Sequence, residues 1–159
     1  MPDCLSWVHF GDLHVDAADG YQGSERFAAL TAIARRHLRD GVDFAFLPGD
    51  NANHGTADQY RRIGEAMAGL DLPWHVIAGD HDVEPGNLDA LRAIAPRQAP
   101  YAQTINGYRC LFLDIVSAGD GGPDFRIDPR SVAGWNTNSP SPRRRGRAAS
   151  SSCTPIPAT

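Results

Sequence analysis

Lysine is absent from the 159 residues, and no histidine follows His81. No run of 18 apolar residues occurs, so no segment reads as a membrane-spanning helix. The start, Met1-Pro2-Asp3, has neither the basic residues nor the apolar stretch of a secretory leader, and a cytoplasmic chain with no membrane partner is the expectation. Cysteine is scarce: Cys4, Cys110 and Cys153 are widely spaced with no CxxC, which argues against a disulfide framework or a zinc ribbon. Reduced thiols are expected.

Acidic residues are missing from one end of the chain. All 19 lie in residues 1–128 beside ten arginines, a formal charge of −9; residues 129–159 hold five arginines and no acid, +5. So acidic a body does not suit nucleic acid, whose phosphates need clustered cations. From Pro129 onward there is no Leu, Phe, Tyr or His, and serine, proline and arginine dominate. Too little apolar surface is present there to offset the entropy of ordering. Two regions are therefore expected, a folded part over 1–128 and a disordered tail over 129–159, with a frameshift near Asp128 as the hypothesis for the abrupt change.

The folded part alternates strand and helix signals. Leu5–His9 reads as a buried strand ending at Gly11-Asp12. Ser24 can cap a helix with Phe27, Leu30, Ile33, Ala34 and Leu38 at helical spacing and Gly41 as its stop. Phe44–Leu47 is a second strand, closed by Pro48-Gly49-Asp50; Thr56 and Gln59 form a capping box before a helix with Ile63, Met67 and Leu70 inward. His75–Ala78 is a third strand, and Asn87 caps a helix running through Ile94. Such crossovers imply parallel pairing. Asn106-Gly107 between Tyr101–Ile105 and Tyr108–Asp114 marks a tight hairpin.

Each strand ends on chemistry. Asp12 and His14 follow the first, Asp50 the second, and Asp80, His81 and Asp82 the third, so all converge on the carboxyl edge of one parallel sheet. Carboxylates and imidazoles are ligands for manganese, iron or zinc. Neighbouring Gly11, Gly49 and Gly79 permit the sharp turns that bring them together. His9 and His75, inside apolar runs, read as packed core residues, and His37 and His54 as solvent-exposed.

The order Asp12-Leu13-His14, Gly49-Asp50-Asn51-Ala52-Asn53, Gly79-Asp80-His81-Asp82 resembles the calcineurin-like metallophosphoesterase superfamily, whose motifs run D-x-H, G-D-x-x-(D/N), G-N-H-(D/E), a lone His and G-H-x-H. Within it the chain looks most like the bacterial cyclic-nucleotide phosphodiesterase-like branch, over residues 5 to 116. The resemblance implies an α/β fold, the N-terminal part of a four-layer α/β-β/α sandwich. It makes Asp12 and His14 ligands of one divalent metal ion, Asp50 a bridge to a second, and Asp80 a ligand of that second ion where the family has asparagine. It makes His81 the group that contacts the phosphate and protonates the leaving alcohol, Asp82 the residue that orients it, and Asn53 a hydrogen-bonding support. The implied reaction is hydrolysis of a phosphodiester or phosphomonoester, a cyclic nucleotide among the candidates, by a hydroxide that two metal ions activate.

The family's later histidines have no counterpart here. The second metal site is then incomplete, and a C-terminally truncated, weak or inactive hydrolase is the expectation, with self-association through an uncovered apolar face. The alternative is a non-catalytic metal- or nucleotide-binding fragment that depends on a partner subunit.

Overall fold

The computed structural model describes residues 4–38, 40–117, 125–127 and 129. Apart from Pro129, the expected disordered tail falls outside that set. Three parallel strands, β1 (Trp7–His9), β2 (Phe44–Leu47) and β3 (Trp74–Val76), form one sheet in the order β1-β2-β3. Register is set by Val8 opposite Ala45 and Phe46 opposite His75. Two helices, α1 (Gln22–Leu38) and α2 (Ala57–Ala68), make the crossovers; a short 3-10 turn (His81–Val83), helix α3 (Asp89–Ile94) and the antiparallel hairpin β4 (Tyr101–Ile105) and β5 (Tyr108–Phe112) follow. This is the α/β architecture expected from the sequence.

The pleat divides the core in two. Ala45, Leu47 and Val76 face the helices, where they join Phe27, Ile63, Met67 and Leu70 in one buried cluster. The intervening Phe44, Phe46 and His75 face the other way and meet Phe112 of β5, with His75 stacked on Phe112 at 4.1 Å between ring centroids. The hairpin therefore lies over the sheet face that the helices leave open. Its turn residues Asn106 and Gly107 both take positive φ, 47° and 79°, as a two-residue turn of this hand requires.

Four local expectations need correction. Ser24 is not the cap of α1: the helix begins at Gln22, the Ser24 hydroxyl donates back to the Tyr21 carbonyl, and Asp19 accepts the Gly23 N–H instead. The buried stripe of α1 is Phe27, Thr31 and Ala34, while Leu30 and Ile33 are exposed. Asn87 does not cap α3, whose first flanking residue is Leu88; its side chain accepts the Asp89 N–H one step upstream. His9, expected in the core, is exposed on β1, the outer strand of the sheet among the described residues. His75 is buried as expected.

Candidate metal centre

The loops after β1 and β2 run side by side beyond the sheet. His14 N–H donates to the Asp50 carbonyl at 3.0 Å and Val15 N–H to the Asn51 carbonyl at 3.1 Å, while Asn53 N–H returns to the Val15 carbonyl at 3.0 Å. Val15 and Ala52 form an isolated parallel bridge. This lacing extends the β1-β2 register past the strand ends and carries Asp12, His14 and Asp50 to one place. Their ligand atoms all lie within 4.8 Å of one another.

All three residues have left-handed backbone: φ is 51° at Asp12, 41° at His14 and 50° at Asp50. Side-chain-bearing residues rarely adopt this region, and such strain concentrates at functional sites. Two glycines make room for it. A β-carbon on Gly49 would stand 2.7 Å from the Gly79 nitrogen, and one on Gly79 would overlap the Asp50 carboxylate. The loops after β2 and β3 are thus in backbone contact, which sets Asp80 and His81 beside Asp50.

The donor set fits a divalent cation: two carboxylates and an imidazole, exposed or half-buried, with more negative charge around them. Burial raises the Asp50 pKa above the usual carboxylate value, and the charges of Asp80 and Asp82 raise it further, against the His81 N–H that donates to it at 3.3 Å. A cation there would relieve that crowding. Asp80 neighbours Asp50 but lies outside the three-residue cluster, so the first of the two expected sites is the better formed among the described residues.

His81 packs edge-on against His14, ring centroids 4.5 Å apart. Its Nδ1 lies 2.9 Å from the Asn53 carbonyl. A carbonyl only accepts, so Nδ1 carries the hydrogen and Nε2 is left for other work. That same bond raises the His81 pKa, helped by the charges of Asp50 and Asp80. An open cleft of about 390 Å³, lined by Asp80, His81, Val83, Glu84 and Phe125, adjoins it. A larger cleft of about 520 Å³ between α2 and α3 presents no carboxylate or imidazole.

Asp82, expected to orient His81, bonds to other groups. It is fully buried, and its oxygens accept from Asn51 N and Nδ2, Ala52 N and Gly79 N at 2.9 to 3.3 Å. It ties the β2 and β3 loops together, and the Asn53 carbonyl holds the histidine ring in its stead. Asn53, for which the resemblance implies a supporting hydrogen bond, has Oδ1 3.3 Å from His14 Nδ1. Asp16, His54 and Glu84, which no motif in the sequence marks, gather around Asn53. Their only signal was nearness in sequence to His14, Asn53 and Asp82.

A probable cyclic nucleotide phosphodiesterase of Ruthia magnifica subsp. Calyptogena magnifica is 24% identical over 86 residues, 54% of this chain and 36% of that protein. The chain thus aligns with about a third of that relative's length. The sequence matches the calcineurin-like phosphoesterase family over residues 5–144, most of its length. That family comprises metal-dependent hydrolases of phosphate esters, which generally bind two divalent ions, and the carboxylate and histidine cluster at the strand ends is a candidate, partial ligand group. On that match the chain belongs to the calcineurin-like phosphoesterase family.

Proposed function

We propose that this chain hydrolyses a small phosphate ester, with a cyclic nucleotide as the first candidate, and that its turnover is weak. The observation that carries the reading is the convergence of Asp12, His14 and Asp50 within 4.8 Å. The name of the relative supports the cyclic nucleotide, and the absence of any histidine after His81 supports the weakness.

Asp12, His14 and Asp50 would hold one divalent ion, manganese, iron or zinc, and Asp80 together with Asp50 would offer the start of a second site. When bound, such ions supply positive charge for the phosphate oxygens and activate water at neutral pH. The rest falls to the chain's own groups. His81, its Nδ1 hydrogen committed to Asn53, keeps Nε2 to carry a proton to the departing alkoxide, and its raised pKa favours the protonated ring that this needs. The cleft beside it gives the leaving group room. Free Cys4 and Cys110 suit a reducing compartment, in line with a cytoplasmic protein.

The same lack of later histidines favours a second reading, in which the chain binds the cation without turning substrate over. Manganese with bis-p-nitrophenyl phosphate separates the two. Slow nitrophenolate release that disappears in Asp50→Asn and falls in His81→Ala is the expected result. Manganese binding without release in the intact chain would establish the second reading, and neither binding nor release would defeat both.

A further inference from the structure

We propose that Asp16, with the His54–Glu84 pair behind it, is a positioning residue that fixes which nitrogen of His14 faces the metal. The inference rests on the metal-binding reading of Asp12, His14 and Asp50, and concerns residues which that reading leaves idle.

The Asn53 amide lies between Asp16, His54 and His14. Its Nδ2 lies 2.7 Å from Asp16 Oδ2 and 3.1 Å from His54 Nε2, and its Oδ1 lies 3.3 Å from His14 Nδ1. A carboxylate accepts and does not donate, so the nitrogen of the amide must face Asp16. Turning the amide over would set two oxygens 2.7 Å apart. The Ala18 N–H donates to Asp16 Oδ1 at 3.2 Å, and Oδ2 is left for Asn53.

With the amide fixed, the hydrogens follow. One Nδ2 hydrogen goes to Asp16 and the other to His54 Nε2, which must then present its lone pair. His54 therefore carries its hydrogen on Nδ1 and donates it to Glu84 Oε2, 2.5 Å away. On the opposite side, Asn53 Oδ1 can only accept, so His14 carries its hydrogen on Nδ1. The lone pair of His14 is left on Nε2, the nitrogen free to ligate. Groups that hold the far nitrogen of a ligating histidine typically contribute about 10- to 100-fold in metal affinity.

The backbone builds this relay deliberately. The Val15–Ala52 bridge and the Asn53 N–H to Val15 carbonyl bond bring Asp16 opposite Asn53, although 37 residues separate them.

The test uses the full chain with selectively ¹⁵N-labelled histidine, His14 being assigned through His14→Gln. In metal-free protein above pH 7, the His14 ring should show the Nδ1–H form. Asp16→Ala should mix in the Nε2–H form and weaken manganese affinity, read from the electron paramagnetic resonance of free Mn²⁺, by about 10- to 100-fold. Asp16→Asn has one acceptor oxygen where Asp16 uses two, for the Ala18 N–H and for Asn53, so it should shift both readouts in the same direction as Asp16→Ala and by less. His54→Ala, at an exposed side chain, should move both readouts in the same direction as Asp16→Ala and by less. An unchanged His14 tautomer in Asp16→Ala would overturn the proposal, because lost charge alone would then explain any loss of affinity. If the intact chain binds no manganese, the metal reading fails, while the nitrogen spectra still decide what Asp16 does to His14.

Discussion

Asp82 has no exposed surface, and four N–H groups from two loops converge on its carboxylate. Replacing it with alanine would strand those donors, each at a cost of about 1 to 3 kcal/mol when buried. Asp82→Ala is therefore expected to destabilise the fold by about 3 kcal/mol or more, measured by urea unfolding, with an exposed change such as His37→Ala near zero as the control. The sequence showed the residue type that the third strand end needs but not its use. Asp12, His14 and Asp50 were legible because each follows an apolar run that ends on glycine or just before it. Asp82 and Asp16 were misread or missed because a carboxylate's partners depend on which loops become neighbours. Here a backbone bridge between residues far apart in sequence decides that.

Helix α2 was the most legible element. Thr56 accepts the Gln59 N–H and Gln59 reaches back to the Thr56 N–H, the reciprocal capping that the T-x-x-Q spacing predicts. Thr56→Ala should cost about 1 kcal/mol in thermal or chemical unfolding. Helix α1 was harder, since Leu30 and Ile33 suggested an inner face that belongs to Thr31, a residue whose hydroxyl is satisfied by its own helix through the Ala28 carbonyl. Strand β3 carries a pH effect. His75 is buried against Phe112, its Nδ1 is 2.7 Å from the Tyr101 hydroxyl, and its buried Nε2 has no partner among the described residues. Burial lowers its pKa below the ordinary 6.5, and the nearby Arg97 charge adds to the effect. The unfolded chain then binds the proton more readily. The His75 contribution is intact above pH 6.5 and is lost as the pH falls below it, levelling off under the folded value. Unfolding free energies at pH 8, 6.5 and 5.5 should show this decline. In His75→Gln, which keeps a polar group near Tyr101 without titrating in this range, it should be shallower.

For the whole molecule, the candidate centre couples local chemistry to global stability. The Asp12, His14 and Asp50 side chains come from loops after two different strands, and Asp80 and His81 from the loop after a third, so a cation held among them would bind the folded chain and not the unfolded one. Residues 1–128 also carry an excess of negative charge that a divalent ion would partly offset. Free manganese at a hundred times its dissociation constant would add about 2.7 kcal/mol, which for a chain of this size raises the melting temperature by about 10 °C. The expected pattern is a shift that grows with the logarithm of manganese concentration and is largely lost in Asp50→Asn. Part of the intrinsic stability should return in that variant without metal, because removing one carboxylate eases the repulsion from Asp80 and Asp82 that raises the Asp50 pKa. A shift of equal size in Asp50→Asn would place the binding elsewhere on the acidic surface. An apo variant less stable than the apo wild type would mean that the Asp50 hydrogen bond from His81 outweighs the charge crowding around it.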